Sequence, residues 1–180
     1  DGGAVITNDD GLAEFSKSVR DHGRGEGLEA INWGRNSRLD SLNARVLIER
    51  LKDLEKLIST RRKLANVYDE ELKELEVKGK LKLPPKFSTN SNSLSTYQNY
   101  EIQAKNRNEL IYFLKKNNIG TIKQWGGFSI AHFSNLGFEI GDYPNTEILF
   151  QELLLLPMNH MIKEEEVEYI CNLINKFYKK

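Results

Sequence analysis

The apolar positions near the start of the chain change period within a few residues. Ala4, Val5, Ile6 and Thr7 follow Gly2-Gly3 as an unbroken run, the pattern of a short buried strand. Asn8, Asp9, Asp10 and Gly11 come next. Their short polar side chains suit a helix N-terminus, and a helix is predicted over 12–21, giving a strand–helix unit. Gly23, Gly25 and Gly27 then alternate with charged residues. A dinucleotide-binding loop needs a different glycine spacing and a place between strand and helix, so these glycines are read as a flexible loop.

From Leu39 onward the pattern is helical. Leu47, Leu51, Leu54, Ile58, Ala65, Tyr68, Leu72 and Leu75 recur at mostly three- and four-residue steps, interrupted only at Arg61. This spacing predicts one long helix, or two nearly continuous ones, across 39–78. Such a helix either packs one face within its own domain or joins two regions or subunits, and the pattern leaves both open. Gly79, Pro84, Pro85 and the polar stretch 88–95 break the period and mark a domain boundary.

Beyond it, Tyr97, Tyr100, Ile102 and Ala104 suit a strand. Asn106 with Glu109 three residues later is a capping-box pattern for a helix through Asn117, ended by Asn118-Ile119-Gly120. A second strand is predicted over 121–125. The order strand, helix, strand suggests a small α/β sandwich with helices on one sheet face. A final helix begins near Lys163 with Glu164, Glu165 and Glu166 and ends with Lys176, Lys179 and Lys180, as the helix dipole favours.

Composition narrows the function classes. The 180 residues can enclose a core, and 26 basic residues balance 26 acidic ones, so no net field attracts nucleic acid or an anionic membrane. The longest purely apolar run is Leu153–Leu156. That is far short of a membrane span, and no basic-then-apolar export signal opens the chain. Cys171 is the only cysteine, which rules out an internal disulfide and leads to the expectation of a reducing, cytoplasmic setting. The three histidines lack metal-ligand spacing, so no metal is expected. Neither a Gly-x-Ser-x-Gly elbow nor a phosphate loop ending in Gly-Lys-Ser/Thr occurs. The chain starts at Asp1 without Met and enters a strand-like run at once, leading to the expectation that it is the middle of something longer.

Two stretches carry candidate chemistry. In "WGRNSRLD", Arg35, Asn36 and Arg38 stand at the mouth of the long helix. An amide donor, a guanidinium fork and helix N–H groups suit a phosphate or carboxylate. The alternative is a capped helix whose arginines pair with surface acids. In "IKQWGGFSIAHF", Gln124, Trp125, Gly126, Gly127 and His132 combine a polar edge, an aromatic plate and bare backbone. That mixture fits a sugar or nucleotide pocket, and equally a buried strand end with a Gly-Gly turn.

Taken together, "DGGAVITNDDGLAEFSKSVRDHG", "GRNSRLDSLNARVLIERLKDLEKLISTRRKLANVYDEEL", "YEIQAKNRNELIYFLKKNNIGT" and "DYPNTEILFQELLLLPMNHMIKEEEVEYI" resemble the C-terminal half of the DegT/DnrJ/EryC1/StrS sugar-nucleotide aminotransferases. These are pyridoxal-phosphate (PLP) enzymes of fold type I, and the match is collinear from Asp1 to about Tyr178. The resemblance implies an α/β chain in three parts: 1–38 the end of a large PLP-binding domain, 39–78 a long linking helix, and 79–180 a small C-terminal α/β domain. It implies a homodimer that transfers an amino group from glutamate or glutamine to a keto carbon of a nucleotide-linked sugar, in amino-sugar or cell-surface polysaccharide biosynthesis. The family's catalytic lysine would fall upstream of Asp1, as would the acidic partner of the cofactor's ring nitrogen, so the chain alone is expected to be inactive.

By position, Asn36 matches the family asparagine that reaches the phosphate of the neighbouring subunit's PLP. Arg38 matches the arginine of the same motif, organising the loop or meeting an anionic substrate group. Gln124, Trp125 and His132 are carried over as neighbours of the substrate pocket. Three departures stand out. Arg35 replaces a common Tyr, and Asn43-Ala44-Arg45 replaces Gln-Ala-Ala, putting charge near the interface. Gln124-Trp125-Gly126 stands where relatives have His-Tyr-Pro, which leaves the sugar open. The rival readings are a non-catalytic dimerisation or regulatory module that keeps the fold, and a helical scaffold with no ligand.

Overall fold

Asp9 turns the cluster of short polar residues into a helix start. Its Oδ1 accepts the backbone N–H of Leu12 at 2.9 Å, and helix α1 runs Asp10–Arg20. The computed structural model describes residues 2–86 and 94–179, which divide into two units, Asp1–Leu54 and Glu55–Lys180. In the first unit the strand predicted over 4–7 is not formed: Val5 and Ile6 are 67% and 96% exposed. A strand needs ladder partners and a covered face, and no described strand of this unit supplies them. After α1 the glycine-rich stretch is a loop, as expected, but Gly23 is a packing position. It sits at φ 74°, and a Cβ there would lie 1.7 Å from the Asn32 carbonyl oxygen.

The long apolar row forms two helices, α2 over Ser41–Leu51 and α3 over Leu54–Val77. The break falls at Lys52 and Asp53, whose N–H groups reach back three residues at 3.3 Å instead of four. Arg61, the polar interruption in the row, lies inside α3 and does not end it.

In the second unit, three strands pair antiparallel in the order β1 (Leu81–Lys82), β2 (Tyr100–Ala104), β3 (Leu153–Leu156). The register sets Leu81 opposite Ala104, Ile102 opposite Leu154 and Tyr100 opposite Leu156. Directly opposed residues share a face, and this face packs on Leu64, Tyr68 and Leu72 of α3, Leu110 and Leu114 of α4 (Arg107–Lys116), and Val167, Ile170 and Ile174 of α6 (Glu164–Tyr178). Helices therefore cover one face, as the sandwich reading expects. Glu101, Gln103 and Lys82 occupy the other, where Leu149 of α5 (Pro144–Glu152) and Leu153 border a small cavity.

Tyr68, Tyr100 and Asp69 bring paired polar groups into this core. Tyr68 Oη donates to the Pro157 carbonyl at 2.8 Å, and Tyr100 Oη to Asp69 Oδ1 at 2.6 Å, with the two rings stacked 4.5 Å apart. Lys86 Nζ lies 3.5 Å from Asp69 Oδ2. Burial pushes both phenols well above the ordinary tyrosine range, and the bond to Asp69 adds to this at Tyr100. Cys171 is enclosed in the same core, where burial pushes its thiol up to about 12.

Other expectations need correction. Asn106 makes no side-chain cap: it adopts the left-handed conformation at φ 55°, which carries its amide away from the first N–H groups of α4. Arg107 instead anchors this end by donating to the carbonyls of Phe150 and Leu153. The strand predicted over 121–125 shrinks to one bridge between Ile122 and Leu155, because Trp125, Gly126 and Gly127 take φ 50°, 69° and 87° and turn the chain aside. At α6, Glu166 accepts the Lys163 N–H at 2.8 Å. The polar break over 88–95 lies largely outside the described residues, as does Lys180. No helix among the described residues is long and apolar enough to cross a membrane.

Candidate functional site

Asn36 and Arg38 are placed by the end of α1. A helix leaves its last carbonyls without intrahelical partners. Here the N–H of Arg35 takes the Val19 carbonyl at 2.9 Å, and that of Ser37 takes the Arg20 carbonyl at 2.8 Å. The returning segment is thereby fixed against the helix terminus, with Asp21 and Asn36 bridged. Asn36 Oδ1 accepts from Arg38 Nε at 3.2 Å, and Arg38 Nη1 stands 3.2 Å from Asp21 Oδ1. Among the described residues Asn36 Nδ2 has no partner. One half of the amide is held, and its donor half is free.

The helix mouth itself differs from the anion-binding expectation. Asp40 Oδ1 accepts the Leu42 N–H at 2.8 Å, so a carboxylate of the chain caps α2. Arg45 pairs with Glu49 at 2.8 Å. Of the two arginines at the mouth, Arg38 stands beside Asp21, and no ion pair of Arg35 is found among the described residues. Lys17, Arg20, Ser37 and Arg38 border a groove of about 980 Å³ that also includes Gly2, Gly3 and Asp40. Asn36 is outside its wall. Lys17 and Arg20 were missed from the sequence, although their spacing of three places them on one face of α1.

Gln124, Trp125 and His132 lie in the second unit, on consecutive short turns. The Lys123 carbonyl accepts the Gly126 N–H at 3.1 Å, and the Trp125 carbonyl accepts the Phe128 N–H at 3.2 Å. Trp125 is 77% exposed, which removes the buried-strand-end alternative, and its left-handed backbone is costly for a bulky residue. Ser129 was not singled out from the sequence. It is only 1% exposed, with its N–H 3.2 Å and its Oγ 3.0 Å from His132 Nδ1. Phe128 meets the imidazole edge-on at 5.6 Å between ring centres. Among the described residues no group of three His, Cys, Asp or Glu side chains is placed to share a metal ion.

Comparison with known proteins gives these two clusters a context. The DegT/DnrJ/EryC1/StrS aminotransferase family matches residues 1–175. The "pleiotropic regulatory protein" of Geobacillus stearothermophilus is 35% identical over 99% of this chain and 48% of its own length. The dTDP-3-amino-3,4,6-trideoxy-alpha-D-glucose transaminase of Micromonospora megalomicea subsp. nigra is 31% identical over 97% of this chain and 48% of its own. A crystal structure of a DegT DnrJ EryC1 StrS aminotransferase from Brucella abortus superposes with a TM-score of 0.80 at 29% identity, covering 97% of this chain and 46% of that one. The chain thus spans about half the length of the relatives it matches.

Proposed function

The chain belongs to the DegT/DnrJ/EryC1/StrS aminotransferase family, and from that membership we propose that it forms the C-terminal half of a PLP-dependent sugar-nucleotide aminotransferase. The complete enzyme moves an amino group from glutamate or glutamine to a keto carbon of a nucleotide-linked sugar, works as a homodimer in the cytoplasm, and carries its catalytic lysine upstream of Asp1. Residues 1–38 complete the cofactor domain, 39–78 link it, and 79–180 form the small domain. The transaminase name of the Micromonospora relative supports this reading over a non-catalytic module.

The observation that carries the proposal is the half-held amide of Asn36. Its Oδ1 is committed to Arg38 and its Nδ2 is available, which fits a phosphate acceptor. PLP, when bound, supplies an electron sink for the carbon that gains or loses the amino group. Asn36 donates to the cofactor phosphate of the neighbouring subunit. Arg38 orients Asn36 and presents its guanidinium to an anionic substrate group. Trp125 offers a plate for a ring of the nucleotide-linked sugar, and Gln124 and His132 offer polar atoms to its oxygens.

Replacing Asn36 by Ala in the complete enzyme should weaken PLP retention by about 1–3 kcal/mol, the scale of a hydrogen bond to a charged group, read from cofactor absorbance during dialysis. Unchanged affinity removes the assignment. Absence of a lysine in the segment encoded just before Asp1 would refute catalysis while leaving the family membership intact.

A further inference from the structure

Ser129 has no assigned role, yet it is nearly the most enclosed residue of the loop that carries Trp125 and His132, while Phe128 and Ile130 on either side are exposed. A buried backbone N–H must find an acceptor. That of Ser129 points at His132 Nδ1 at 3.2 Å, with Ser129 Oγ 3.0 Å from the same nitrogen. The Ser129 carbonyl accepts the His132 N–H at 3.1 Å, which closes the turn, and also lies 3.3 Å from Nδ1. That oxygen is already satisfied by the main chain, whereas the buried Ser129 N–H has no other acceptor among the described residues and a proton on Nδ1 would orphan it. Backbone satisfaction therefore selects the tautomer with a bare Nδ1 and the proton on Nε2. The edge-on Phe128 ring holds the imidazole from the side, and Nε2 has no partner among the described residues.

We infer that Ser129 is a positioning residue that holds Nδ1 of His132 as an acceptor and leaves Nε2–H facing outward as a donor, and that this donor meets an acceptor oxygen of the nucleotide-linked sugar. The second half rests on the aminotransferase reading above; the first does not. A donor at this place recognises a hydroxyl, carbonyl or phosphate oxygen. Because Nε2 already carries its proton, His132 has no role as a base through that atom.

Nitrogen NMR of the protein labelled at its three histidines tests the first half, with the His132 signals identified by their loss in His132→Gln. At neutral pH, Nδ1 of His132 should resonate as an unprotonated acceptor and Nε2 as a protonated donor. In Ser129→Pro, which suits the native φ of −80° and removes the N–H, both should move toward the averaged positions of exposed His160, whereas Ser129→Ala, which keeps the N–H, should hold them. A protonated Nδ1 in the wild type, or signals unmoved in Ser129→Pro, overturns the positioning role.

In the complete enzyme, His132→Leu should raise KM for the nucleotide-linked sugar roughly three- to tenfold, the range of one lost hydrogen bond. His132→Gln, whose amide can donate from a similar place, should recover most of that loss. An unchanged KM in His132→Leu overturns the ligand contact alone. An enzyme with no transaminase activity and the NMR signature intact overturns the aminotransferase reading and the sugar contact together, leaving the positioning role standing.

Discussion

Within residues 55–179, Leu64, Tyr68, Leu72, Ile102, Leu110 and Ile174 are enclosed together, whereas among the described residues of 2–54 no large apolar side chain is buried. Ile6, Phe15, Ile31, Trp33, Leu42 and Leu51 are all exposed there. Burial of apolar area is the main stabilising term in folding, at about 25 cal/mol per Å². The second region therefore carries its own stabilisation. The first is shaped by caps, by backbone bonds around α1 and by glycine contacts, each worth about 1 kcal/mol. Asn36 and Arg38 stand in this region of exposed apolar side chains.

The contrast can be tested by substitution. Leu72→Ala should cost about 2–5 kcal/mol, the range for emptying a core leucine site, measured by urea denaturation. A loss below 1 kcal/mol would mean that the helix-on-sheet core does not dominate. Tyr100→Phe leaves the buried Asp69 carboxylate with Lys86 as its remaining side-chain partner, and should cost about 1–3 kcal/mol in the same measurement. Asp40→Ala removes the cap of α2 and about 0.5–2 kcal/mol of helix stability. Amide exchange should quicken over 41–51 while the urea midpoint of the second region stays in place, and a shifted midpoint would show that the two regions unfold together. In the 180-residue chain by itself, Ile6→Ser should change stability by no more than about 0.5 kcal/mol, as for other exposed positions; a larger loss would mean that the segment is covered there.

The sequence disclosed elements whose signals are local. Asp9 capping α1, the apolar row of α3 and the three glutamates opening α6 need only neighbours in the chain. What depends on distant partners stayed hidden. Leu153–Leu156 contains four leucines, good helix formers without alternation. They form a strand because both sheet faces are covered: Leu154 and Leu156 join the helix-side core, and Leu153 and Leu155 are buried on the other side. A continuous apolar run is the mark of such two-sided burial. Asn106 carries the letters of a capping box, yet asparagine also tolerates φ 55°. At the candidate site, residue chemistry alone suggested an anion near Asn36, and the resemblance supplied which anion. The cap by Asp40 and the grip of Ser129 on His132 are single contacts of common residues, with no pattern to announce them.

The short length of β1 bears on how this protein behaves when crowded. β1 pairs over two residues only, and Pro84 and Pro85 soon follow, with no N–H to offer an incoming chain. At the opposite margin Ile122 covers Leu155 of β3 before the left-handed turn leads the chain away. Among the described residues neither border presents the long open ladder on which a foreign strand could template. Self-association in concentrated solution should therefore begin at the bare leucines of α2, and charged replacements at Leu42 or Leu51 should suppress it where changes along the sheet border do not.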